Sequence, residues 1–190
     1  YRADIVLPMD DFFQFEHKAL VSATPIKFSD PRFKDFKTVE ISTEYDYQQK
    51  IQVVHTYSIA RTVREYLENH KKNKVCIFFN SVDGIYSIMK QFGMLNNATV
   101  YCAPKSRSKL KSEHGFTNAY DVWSAETMKQ YNFFTGRFFS AFDLELTYKP
   151  DLVMITDPYI SPYTMLDVDT DCIQICGRFR RGINSATHIY

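Results

Sequence analysis

Residues Val75 to Phe79 read Val-Cys-Ile-Phe-Phe, an unbroken apolar run with no polar alternation. A run this short and this uniformly apolar marks a strand buried on both faces. The flanking sequence supplies helices to do the burying. Upstream, Ile59, Val63, Tyr66 and Leu67 mark an amphipathic helix over about residues 59 to 70. Downstream, Ser81 can cap a helix that carries Val82, Ile85, Met89 and Phe92 on one face and ends at Gly93. Further strands are expected near Ala98 to Cys102, Tyr131 to Thr135, Leu152 to Thr156 and Ala186 to Tyr190, with a helix from about Pro104 and another before the last strand. Such alternation predicts an α/β domain with a mostly parallel sheet, helices on both faces, and ligands at the carboxyl ends of the strands.

Residues 1 to 44 read differently from 45 to 190. Phe12, Phe13 and Phe15 crowd a short stretch, and Pro31 breaks the segment from Phe28 to Phe36. Thr38 to Thr43 and Lys50 to Tyr57 alternate well enough for two strands paired around the polar Glu44 to Gln49 turn. The net charge of +1 sets up no global basic field, so any nucleic-acid contact must be local. The aromatic share of 16% can build a heavy core or supply base-stacking surfaces. Apolar runs stop far short of the roughly 20 residues that span a bilayer, which predicts a soluble, cytoplasmic protein. Cys76 and Cys102 lie in strand-like runs, Cys172 and Cys176 fall one helical turn apart, and no Cys-x-x-Cys pair occurs. All four are expected to be buried free thiols, and the five histidines show no metal-ligand spacing.

The segment Gln174-Ile-Cys-Gly-Arg-Phe-Arg-Arg181 is where chemistry is expected. In a helix Gln174, Arg178 and Arg181 fall at i, i+4 and i+7 on one stripe, with Val168, Cys172 and Ile175 opposite. One face would pack on a sheet while the other presents guanidinium groups suited to bidentate phosphate contacts. This holds only if the helix continues through Gly177.

The segment resembles motif VI of superfamily 2 helicases, Gln-x-x-Gly-Arg-x-x-Arg, filled here by Gln174, Gly177, Arg178 and Arg181. Thr135-Gly-Arg-Phe-Phe-Ser-Ala-Phe-Asp143 looks like motif V, with Ala141 where the family usually has Gly. Ser22-Ala-Thr-Pro25 is similar to motif III, and Val75 to Val82 to motif IV. The four stand in family order. The resemblance implies a RecA-like (P-loop NTPase type) three-layer domain: residues 45–190 as the second, carboxy-terminal lobe of an ATP-dependent helicase, and 1–44 as a remnant of the first lobe with a linker.

That resemblance also implies roles. Arg181 is the arginine finger, Arg178 a second γ-phosphate contact, and Gln174 orients the finger or the attacking water. Gly177 and Asp143 border the nucleotide, Asp143 at the ribose or the metal-linked network. Ser22 and Thr24 couple nucleotide state to movement, while Thr135, Asn80 and Ser81 meet nucleic-acid phosphates. Lys105, Arg107, Lys109 and Lys111 form a basic run that could join them. The implied partner is DNA or RNA, in single-stranded form. ATP and Mg2+ are implied for the whole enzyme, yet no Gly-x-x-x-x-Gly-Lys-Ser/Thr loop and no suitably placed Asp-Glu pair occurs in these residues. The expectation is therefore that the chain starts between motifs II and III, that the P-loop lobe lies outside it, and that it hydrolyses no ATP alone. Taken without the resemblance, the arginines read as a solvated helix end, Asp143 as an Asx turn or cap, and the basic run as a solvated face. Two other functions stay open: a degenerate lobe that binds nucleic acid or protein without hydrolysis, and a small-nucleotide α/β domain.

Overall fold

The computed structural model describes residues 9–21, 28–41, 49–139 and 142–190. The chain divides into two compact units, Tyr1–Glu40 and Ile41–Tyr190. Ser22, Thr24 and Ala141 lie outside the described residues.

In the first unit, helix α1 (Met9–Gln14) opens with Asp10 and Asp11, carboxylates that suit the positive end of the helix dipole. Pro31 starts a 3-10 turn rather than simply breaking the chain, because Asp30 Oδ1 accepts the Arg32 backbone N–H at 2.9 Å. The phenylalanines crowded in the sequence meet in space. Phe33 stacks on Phe28 at 4.3 Å and takes Phe13 edge-on at 4.9 Å. Arg32 lies over the Phe13 ring and bridges Asp10 and Asp30, both at 2.7 Å.

The second unit contains β1 (Gln52–Val54), α2 (Ile59–Asn69), β2 (Val75–Phe78), α3 (Val82–Gln91), β3 (Ala98–Tyr101), α4 (Pro104–His114), β4 (Ala119–Tyr120), β5 (Tyr131–Phe134), β6 (Asp151–Ile155), α5 (Ile173–Gly177) and β7 (Ser185–Ile189). The strands form one seven-stranded sheet in the order β1-β7-β6-β2-β5-β3-β4, and every pairing is parallel. Central β2 is buried along its whole length, as the apolar run required. Its residues alternate between two cores. Val75 and Ile77 join Val63, Leu67, Ile85, Met89 and Leu110 from α2, α3 and α4, while Cys76 and Phe78 join Cys172, Ile175 and Phe179 on the other side. This is the three-layer α/β arrangement with a parallel sheet expected for a RecA-like domain.

Local signals account for most boundaries. Ser81 Oγ accepts the Gly84 N–H at 3.1 Å and caps α3, as its position predicted. Phe78, Phe134 and Tyr101 sit in register on adjacent strands, and their rings stack at 4.9 and 4.8 Å. That spacing is the distance between neighbouring strands, so the sheet itself aligns the ladder.

One expectation is corrected among the described residues: β1 pairs parallel with β7, and Thr38–Ile41, the described part of the expected partner strand, has no regular structure, while the expected turn lies mostly outside the described residues. The β7 edge offers a ladder that continues the parallel sheet, which a local hairpin cannot. The short β4, unmarked by any long apolar run, extends the opposite edge. No described helix is long and apolar enough to cross a membrane.

Candidate functional site

The chain passes from β2 through α3 to β3 on one side, and from β6 through α5 to β7 on the other. The carboxyl ends of β2 and β6 are thus a topological switch point, where α/β sheets open a ligand crevice. Asn80 and Ser81 follow β2 there. Ser81 is buried and spends its hydroxyl on the α3 cap, and it also accepts a hydrogen bond from Tyr163 at 3.4 Å. The Tyr163 contact crosses the crevice from the loop after β6. That loop also exposes Tyr159, Ile160 and Met165.

Asn80 reaches the neighbouring strand instead. Its Oδ1 accepts the Gly136 N–H at 2.8 Å, tying the end of β2 to the end of β5. A Cβ at position 136 would lie 2.7 Å from that oxygen, so the approach requires glycine. Thr135 is buried, and its hydroxyl donates to the Tyr101 carbonyl at 3.4 Å. Asn80 and Thr135 therefore meet at one strand junction, with the Asn80 Oδ1 and the Thr135 hydroxyl already engaged.

The basic run begins at α4, after β3. Arg107 bridges Asp121 at 2.7 Å and Lys109 bridges Asp83 at 2.7 Å. The Arg107 hydrogen bond holds the Asp121 carboxyl below its usual range, with Arg137 adding to the effect. Lys105 and Lys111 are exposed and make no ion pair among the described residues. Half the run is thus neutralised locally.

The glutamine and arginines form a second group. Residues 168–172 make a π-helical turn, with Asp167 Oδ1 accepting the Thr170 N–H at 2.8 Å, and α5 then runs only to Gly177. The expected single stripe is corrected accordingly. Gln174 and Arg178 keep their i, i+4 relation, and Arg178 Nε donates to the Gln174 carbonyl at 3.0 Å. Arg181 lies beyond the helix end, so helical spacing no longer aligns it with them. Val168 leaves the buried stripe as well: the wider turn shifts its phase and leaves it 45% exposed, whereas Cys172 and Ile175 are buried.

Arg178 also donates from Nη1 to the Phe142 carbonyl at 3.3 Å. Leu144 and Phe179 form an isolated parallel bridge, which lays residues 142–144 beside 178–180. Asp143 is gripped from this side by Arg180 at 2.8 Å, with Arg178 at 4.0 Å. The sequence reading missed Arg180; three arginines within Arg178-Phe-Arg-Arg181 were its only signal. Arg181 is exposed and makes no ion pair among the described residues. At Gly177 an added Cβ would meet nothing within 4 Å, so packing does not demand glycine there.

An open cleft of about 350 Å³ is lined by Asp121, Val122, Trp123, Arg137, Phe138, Phe142 and Asp143. Sequence reading missed Trp123 and Arg137 here. Among the described residues no cluster of three or more His, Cys, Asp or Glu side chains is arranged to hold a metal. The four cysteines are buried free thiols, and burial pushes Cys102 and Cys176 up to about 11 and Cys172 up to about 12. No family model matches the chain, and neither a curated protein nor a solved structure does.

Proposed function

We propose that this chain supplies the second lobe of an ATP-dependent nucleic-acid helicase or translocase, contributing arginines to a nucleotide site shared with a P-loop lobe. The observation that carries the reading is the pairing of segments 142–144 and 178–180. It joins the two stretches most like motifs V and VI through Asp143, Arg178 and Arg180. The parallel sheet with Asn80 and Thr135 at strand ends supports it further.

When ATP is bound between the lobes it supplies the phosphoanhydride, and the chemistry left to protein is positioning and charge stabilisation. The donor set here suits phosphates. Arg178 is held by the Gln174 and Phe142 carbonyls, so little rotamer freedom remains to be lost. Arg181, exposed after the helix end, is the finger. Among the described residues no carboxylate cluster is arranged to hold magnesium, and in this reading its ligands come from the other lobe. In a polypeptide carrying both lobes, Arg181→Ala lowers ATP turnover by about 10³ or more, the scale of finger loss. Turnover near wild type in that variant refutes the assignment.

One observation favours a second reading, a lobe that binds nucleic acid or protein without hydrolysis. Arg180 closes on Asp143 directly and Arg178 lies beside it, an arrangement that can serve structure alone. Nucleic-acid binding with no ATPase activity in any two-lobe form selects it.

A further inference from the structure

We propose that the cleft between residues 121–123 on one side and Arg137, Phe138, Phe142 and Asp143 on the other is a base-binding site. It takes a planar heteroaromatic base whose attached phosphate meets Arg137. Its walls are the rings of Trp123, Phe138 and Phe142, and Phe142 meets Phe138 edge-on at 5.1 Å and 81°. Trp123 and Phe142 are half-buried, so each keeps part of its ring open to an occupant. At about 350 Å³ the cleft falls at the lower end of small-molecule sites, large enough for a stacked base with its sugar.

The charges select the rest of the ligand. Both carboxylates of the lining are already answered, Asp121 by Arg107 at 2.7 Å and Asp143 by Arg180 at 2.8 Å. Arg137 makes no ion pair among the described residues, which leaves the lining with a cation to be met by an anion. One further group is unmet. The indole N–H of Trp123 is buried and has no hydrogen-bond partner among the described residues. A ring nitrogen or carbonyl on the base edge would satisfy it once the indole turns that N–H toward the cleft, an exchange an aliphatic occupant cannot offer. Stacking surface, an unmet donor and an unpaired guanidinium together describe a nucleotide.

Such a base can come from a single strand or from a free nucleotide. The strand form rests on the proposed function; the base site itself does not. Trp123 is the chain's single tryptophan, so its emission reports the cleft directly. The probes are a short single-stranded oligonucleotide, an abasic strand of equal length, and adenosine monophosphate, each followed by Trp123 emission and, for labelled strands, by anisotropy. The base-bearing strand is expected to quench Trp123, while the abasic strand binds without quenching. Phe142→Ala weakens the quenching constant by about tenfold or more, the effect of losing one stacking ring. Arg137→Gln weakens strand binding and lowers its salt slope by about one. Unchanged far-UV circular dichroism confirms that both variants fold. Quenching by the monophosphate but by no strand supports the base site and removes the strand as its source. Strand binding with equal emission changes for base-bearing and abasic probes overturns the site yet leaves the helicase reading standing, as does strand binding when neither a strand nor the monophosphate quenches. The absence of quenching by any probe also overturns it.

Discussion

Asp151 begins β6 with no exposed surface and no cation bonded to it among the described residues, yet its carboxylate accepts three hydrogen bonds. Asn184 Nδ2 and Ser185 Oγ donate to Oδ1 at 2.7 and 2.6 Å, and Asn73 Nδ2 donates to Oδ2 at 2.8 Å. The carboxylate thus ties the turn before β2 and the start of β7 to the strand between them. Hydrogen bonds to a charged group are worth about 1.5–3 kcal/mol each, so three give at most about 4.5–9 kcal/mol. Asp151→Ala loses less than that sum, because Asn73 and Asn184 are exposed and their released amides turn to water. Ser185, half-buried, recovers less. We expect a loss of about 3 kcal/mol, which for a chain of this length lowers the melting temperature by about 6–12 °C. Asp151→Asn keeps the Oδ1 acceptor, and a flip of the Asn73 amide avoids opposing two donors. It should cost about 1–2 kcal/mol, the charge assistance alone.

The pH dependence separates this account from simple loss of packing. Burial works to raise the Asp151 carboxyl's pKa, but the bonds from Ser185, Asn73 and Asn184 outweigh it and hold the folded value below the ordinary one. Its contribution is therefore complete above the unfolded value of about 3.9 and is lost as pH falls through the folded one. Thermal unfolding followed by circular dichroism should show the full gap between wild type and Asp151→Ala at about pH 7 and a narrower one at about pH 3. A gap of equal size at both, or none at about pH 7, refutes the reasoning.

Three further outcomes follow from single contacts. Gly84→Ala should destabilise the fold by about 1 kcal/mol in urea unfolding: the helix gains about 1 kcal/mol, but the new Cβ would lie 2.4 Å from the buried Phe79 ring, and overpacking costs about 1–3 kcal/mol. Gly177→Ala meets nothing within 4 Å, so its melting temperature should equal or exceed wild type; a large loss would show that the glycine serves the backbone rather than a ligand's approach. The four buried cysteines, their thiols raised by burial, should resist alkylation at neutral pH in the native chain and react only in denaturant, as read by intact mass.

What could be read from the sequence was what neighbours along the chain decide. The Val75 run needed cover on both faces whatever its strand partners, the spacing of Val63, Tyr66 and Leu67 defined the buried face of α2, and Ser81 announced its cap. Those signals alone determined an α/β domain with a covered parallel sheet, because burial periodicity and capping act over a few residues. The tertiary structure decided the rest. β1 found β7 more than a hundred residues away, since a sheet edge offers backbone partners that no local pattern encodes. Gln174 and Arg178 kept their helical relation, but the π-helical turn and the end of α5 at Gly177 removed Val168 from one stripe and Arg181 from the other. Asp143 acquired Arg180 only because residues 142–144 and 178–180 were laid side by side. The cleft around Trp123 and Arg137 arises in the same way: its walls come from the segments after β4 and β5, strands separated in the sheet by β3, and only folding makes them face one another.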